Sequence, residues 1–246
     1  MSRRVEVGFS RRIQLDWLEL TANLLLAGKT SPEIQTQLDD FLQDKLSIGS
    51  QSQSSSRSKA ISILQKIWVR VPAKLEPLRD EALELLVNTP QHQHLAIHWG
   101  MTMAVYPFFG IAADSVGRLL RLQGRFAAGS IQRRIGEQLG DRQTVSRATQ
   151  RILRCFVDWG VLQDTSEIGI YQSANTQSVD NRKLAAWLIE AALIASDSES
   201  QALGVISQTP ILFPFTVSLI NPRDLEMNRR LEFFCQGIDQ KMVMLR

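Results

Sequence analysis

The stretch Ile131–Leu162, IQRRIGEQLGDRQTVSRATQRILRCFVDWGVL, decides how the chain is read. Ile131, Ile135 and Leu139 recur at helical spacing and define one apolar face. Ser130 precedes them as an N-cap, its hydroxyl available to a first-turn N–H. Gly140 follows where a helix commonly needs a left-handed residue to end. A second helix is predicted from Gln143 or Thr144. Val145, Ala148, Ile152, Phe156 and Trp159 form its continuous apolar seam. Gly160 closes it, and Val161-Leu162 enters a strand. The opposite face carries Gln143, Thr144, Ser146, Arg147, Gln150, Arg151 and Arg154. A helix that packs on one side and offers Gln, Ser, Thr and Arg on the other suits a DNA major groove.

Charge is concentrated around the same stretch. Between Ser115 and Cys155 stand nine arginines, at 118, 121, 125, 133, 134, 142, 147, 151 and 154, against two acids, Glu137 and Asp141. That local +7 lies in a 246-residue chain whose net charge is only +3, so the remainder is mildly acidic. A basic segment on an otherwise acidic chain is the electrostatic footprint of phosphate contacts.

LGDRQTVSRATQRIL followed by WGVL resembles the helix-turn-helix of winged-helix DNA-binding proteins. In that family an LG pair ends the second helix, TVSRA opens the recognition helix, and a GLL-like end leads into the wing. The turn is one residue shorter here than in many bacterial regulators of the type. The resemblance spans about a quarter of the chain and implies double-stranded DNA as partner. It implies that Gln143, Ser146, Arg147 and Gln150 lie nearest base edges. Arg133, Arg134, Arg151 and Arg154 would then reach phosphates, with Arg142 and Thr144 on the same surface. Asp164 and Glu167 make the expected wing acidic at its tip, so binding is expected to depend on the helix rather than the wing.

The expected fold is mainly α, with a multi-helical N-terminal half, a central winged helix-turn-helix and a small α+β C-terminal module. Residues 1–46 read as a helical hairpin broken at Gly28 and restarted at Ser31-Pro32-Glu33. Residues 47–58, rich in Ser and Gln, read as a linker or mobile loop. Residues 59–112 read as a helical segment, with breaks at Pro72 and Pro77 and an apolar break at Tyr106–Gly110. Residues 113–175 hold the winged unit, whose first helix is capped by Asp114 or Ser115 and turns Val116, Leu119, Leu120 and Leu122 inward. Residues 176–246 read as a helix, a short helix and a terminal hairpin around Gly237, an element order compatible with a second winged-helix-like unit. Arg3, Arg4, Arg11 and Arg12 are read as a frayed basic terminus rather than an arm reaching into a minor groove.

Other chemistry is sparse. Composition, 44% apolar and 22% charged, is that of an ordinary globular protein. No apolar segment follows the basic start, no run of 18 apolar residues occurs, and a cytoplasmic protein without membrane contact is expected. Cys155 and Cys235 are read as buried structural thiols. His92, His94 and His98 include an i, i+4 pair able to share a metal, but no H-E-x-x-H pattern accompanies them, and neither metal nor cofactor is assigned. Nucleophile elbows, phosphate loops and dinucleotide fingerprints are absent from the sequence. Pro222-x-Asp224 with Asp239-x-Lys241 resembles the metal-dependent nuclease spacing, a short pattern common by chance. No enzyme activity is expected.

Over about 160 residues the layout also resembles the BrxA-type helical proteins of BREX phage-defence islands. That resemblance implies a DNA-binding accessory of a defence complex, with other subunits or a second copy as partners. A transcriptional regulator with a helical dimer or effector region is the rival, and a protein–protein scaffold the third reading.

Overall fold

The computed structural model describes residues 7–46, 56–217, 228–236 and 240–246. The described chain is mainly helical, with a small α+β part at its C-terminal end. Helices α1 (Leu15–Leu26) and α2 (Ser31–Leu42) are separated by Gly28, at φ 73°. The Thr30 amide and hydroxyl both donate to Glu33 Oε2 at 2.7 Å, which starts α2 cleanly. Helix α3 (Ser56–Trp68) begins inside the expected linker, and Arg57 of its first turn pairs with Asp39 of α2 at 2.7 Å. Residues 47–55 of that linker lie outside the described residues. Pro77 does not break a helix. It occupies the first turn of α4 (Glu76–Asn88), where its missing N–H costs nothing.

Helix α5 (His94–Val105) has every residue buried except its first, and is the hub of the fold. Trp99 stacks on Phe156 at a centroid distance of 4.7 Å and donates to the Ile211 carbonyl at 3.2 Å. Gly100 admits the Trp187 ring so closely that a Cβ would overlap it. Helix α6 (Pro107–Gln123) starts one residue later, so the expected break at Tyr106–Gly110 is only Tyr106. Asp114 and Ser115 are therefore mid-helix and cap nothing. Asp114 pairs instead with Arg118 at 2.7 Å, and Ser115 is buried. Leu122, expected inward, is 75% exposed, because the helix runs past the core in its last turn. The 112/113 division of the sequence falls inside α6.

Strand β1 (Arg125–Ala127) then leads directly into α7 (Ala128–Leu139). Ser130 is consequently inside α7 rather than its cap. Helix α8 (Gln143–Asp158) follows, then β2 (Leu162–Asp164) and β3 (Ile170–Ser173). The three strands form an antiparallel sheet in the order β1-β3-β2.

The rest contains β4 (Gln177–Val179), α9 (Arg182–Ala195), β5 (Ser200–Ala202), α10 (Leu203–Ile206), β6 (Phe215–Val217), β7 (Leu231–Gln236) and β8 (Gln240–Leu245). Asn181 caps α9, its side-chain oxygen accepting from Leu184 N at 3.1 Å. β4 and β6 pair in parallel. β5, β8 and β7 pair antiparallel in that order, the same first–last–middle arrangement as β1-β3-β2. The expected terminal hairpin is present, though its turn at 237–239 is outside the described residues. Cys235, expected to be buried, is exposed, since β7 is an edge strand.

Candidate nucleic-acid interface

The α7–α8 pair is organised by its turn and its seam. Gly140 takes φ 93°, a value side chains resist, and only Asp141 and Arg142 separate it from α8. Val145, Ala148, Ile152, Phe156 and Trp159 are all buried. Phe109 of α6 meets Phe156 at 5.3 Å and Trp159 at 5.6 Å, and Trp99 of α5 meets the same two rings, so the seam is pressed onto both helices. Burying those side chains fixes the rotation of α8 and hence which face is offered to solvent.

That face carries Gln143, Arg147 and Gln150, one stripe at i, i+4 and i+7, all exposed. Thr144 is exposed beside it, and Ser146 and Arg151 are half-buried. Arg133 and Arg134 are exposed on α7. Arg133 approaches Glu137 only to 4.0 Å, with both side chains more than two-thirds solvent-accessible, an interaction worth little. Arg142 is exposed and folds one guanidinium nitrogen back to the Leu139 carbonyl at 3.3 Å.

Arg154 is different, and the expectation that it stands free for a phosphate is corrected. Strand β2 returns alongside α8 and places Asp164 opposite it. Nη1 donates to both Asp164 oxygens, at 2.9 and 3.0 Å. Hydrogen bonds to Tyr171 and then Asp164 hold the guanidinium above its usual pKa. The acids of the β2–β3 hairpin are thereby compensated: Asp164 by Arg154, and Glu167 by Arg125 at 3.2 Å. Ile168, at the tip beside Gly169, is fully exposed.

The described part of the N-terminal segment, from residue 7 on, is anchored rather than frayed. Phe9 is buried against Tyr106 and Phe109, with centroids at 5.4 and 5.7 Å. Ile13 N donates to Cys155 Sγ at 3.1 Å, and the Trp159 indole donates to the Ile13 carbonyl at 2.9 Å. The Arg12 guanidinium grips both oxygens of Asp158. Arg11 is thus held beside α8, a residue the sequence reading left out of the site. The only sequence signal was its place in a basic start. Arg3 and Arg4 lie outside the described residues.

The histidines do not converge on a vacancy for a metal. His94 and His98 both face Glu19, whereas His92 is exposed on a separate turn. Among the described residues no group of three or more His, Cys, Asp or Glu side chains is placed to hold a metal ion. Pro222, Asp224 and Asp239 of the nuclease-like pattern are outside the described residues, and Lys241 is exposed on β8. Among the described residues no single helix is long and apolar enough to cross a membrane. The bent pair 91–105 and 107–123 is apolar enough by composition, and its first arm is the buried hub.

Comparison with protein families, with curated proteins and with solved structures finds no match.

Proposed function

We propose that this chain binds double-stranded DNA without catalysing a reaction, through a winged helix-turn-helix built from α6, β1, α7, α8, β2 and β3. Helix α8 enters a major groove, and β2–β3 is the wing. The observation that carries the reading is the outer face of α8. Gln143, Arg147 and Gln150 are exposed in one row, and no ion pair to an acid engages Arg147 among the described residues. Gln and Arg are the residue types that make paired contacts to adenine and guanine edges. Helix, strand, two helices and hairpin, with the strands ordered first–last–middle, present α8 outward and flank it with β2–β3. The compensated acids of that hairpin leave it nearly neutral, so phosphate contacts fall to Arg133, Arg134 and Arg151.

A duplex titration at two salt concentrations tests this. Arg147→Ala should weaken binding by about 1–3 kcal/mol if Arg147 contacts a base. Arg133→Ala should instead lower the salt slope by about one counterion. Parent-like binding by both variants would overturn the reading. The resemblance in layout extends the proposal to an accessory role in a phage-defence complex, and the genes flanking this one separate that role from a transcriptional regulator.

A further inference from the structure

We propose that Arg11 of the N-terminal segment joins Arg151 of α8 in a single site for one phosphate of the duplex backbone, beside the base-facing Arg147. The inference rests on the DNA-binding reading above and adds a residue and a segment to it.

Three observations converge. The first is position. Ile13 and Arg12 are clamped to Cys155, Asp158 and Trp159 near the end of α8, so the preceding residue is fixed against that helix. Arg147, Arg151 and Cys155 are spaced at i, i+4 and i+8, one line along the helix. The second is charge. Burial first, then the positive charges of Arg11 and Arg147, press the Arg151 guanidinium below its usual pKa. Arg151 thus feels the charge of both Arg11 and Arg147. The third is pairing. Arg12 and Arg154, the cations on either side, each hold a carboxylate. Arg11, Arg147 and Arg151 hold no carboxylate among the described residues. Arg11 Nε is buried with no hydrogen-bond partner, while its Nη1 donates only to the neighbouring Ser10 carbonyl at 2.7 Å.

The adjoining guanidiniums of Arg11 and Arg151, neither matched by a carboxylate among the described residues, are stabilised by an anion that takes several charge-assisted hydrogen bonds at once, and a phosphodiester has that chemistry. The site lies where α8 passes from its groove-facing first turns to its anchored end. It clamps the backbone beside the groove and sets how far along the duplex the Gln143–Gln150 stripe can slide.

The test measures duplex DNA affinity against salt for the parent, Arg11→Gln, Arg151→Gln and the double variant. Each single variant should weaken low-salt binding, and Arg11→Lys, which keeps the charge, should recover most of the loss. The double variant should lower the salt slope by about one counterion rather than two, because both residues serve one phosphate. Arg79→Gln, a charge change at the distant α4, should leave the slope unchanged, and far-UV circular dichroism should show every variant folded. Parent-like low-salt affinity of Arg11→Gln, or a double variant losing two counterions, overturns the shared site even if Arg147→Ala weakens binding as proposed. A parent that does not bind duplex at low salt overturns both readings. Inorganic phosphate should compete no better than chloride at equal ionic strength; displacement of duplex by millimolar phosphate would assign the site to free phosphate instead.

Discussion

His98 Nε2 lies 2.7 Å from Glu19 Oε2, with the imidazole wholly buried and His94 Nδ1 3.0 Å from the other carboxylate oxygen. One carboxylate of α1 is thereby tied to two turns of α5. The hydrogen bond from His98, working against desolvation, brings the Glu19 carboxyl down to about 2. Burial, working against Glu19, pushes the His98 imidazole below its usual 6.5. Both groups have depressed folded-state values, so for both the unfolded chain binds protons more readily. His98 therefore contributes stability that falls as pH drops below about 6.5, and Glu19 a further share that falls from about 4.5 towards 2. Denaturant unfolding should show a lower free energy at pH 5 than at pH 7.5. In His98→Gln, which keeps a donor but does not titrate, that difference should shrink. Equal losses in parent and variant would rule the assignment out.

Arg154 and Asp164 couple α8 to the β2–β3 hairpin rather than to a ligand. Arg154→Ala should leave the salt slope of duplex binding near that of the parent and lower stability by about 0.5–1 kcal/mol, the usual worth of an exposed pair. A slope loss as large as that of Arg133→Ala would place Arg154 on a phosphate after all.

Gly117 of α6 faces the Pro210 carbonyl, and a Cβ there would overlap backbone that no side-chain rotation can clear. Gly117→Ala should cost about 2–3 kcal/mol, as overpacking does. At Gly129, where nothing lies within 4 Å of a Cβ, the same change should be close to neutral. Paired urea titrations read both, and equal effects would refute the close α6 contact.

The two thiols should react differently. Burial pushes Cys155 up to about 12, while Cys235 is exposed on an edge strand. A thiol reacts as its thiolate, which attacks the iodoacetamide carbon and displaces iodide, so native protein should take up one equivalent of iodoacetamide and unfolded protein two. Labelling of Cys155 at the native rate of Cys235 would contradict its burial.

Much of the central unit was legible because its signals are local. The seam from Val145 to Trp159 follows from the helical repeat alone. Gly140 at φ 93° and Gly160 at φ 71° stand where the expected helix ends required them. Other assignments were lost to neighbours the sequence does not name. Asp114 has the chemistry of a cap, but Pro107 starts α6 earlier and Arg118 takes its carboxylate. Ser56–Ser58 reads as linker by composition, yet these residues form the first turn of α3, where Arg57 meets Asp39 of α2. Leu122 fits an apolar face by spacing, yet among the described residues its side chain stays mostly exposed.

Periodicity and glycine placement in this chain determined where α7 and α8 end, which side of α8 is buried, and that Gln143, Arg147 and Gln150 face outward. Those properties depend on backbone geometry within a few residues. Which arginines remain free was decided only by the tertiary structure. Arg12 is matched by Asp158, 146 positions away, and Arg154 by Asp164 across a turn into a strand, while Arg11 is carried to α8 by the anchoring of its neighbours. A charge has no periodicity of its own. Whether it is spent on a carboxylate or left for a partner depends on which distant side chain the fold brings within about 4 Å.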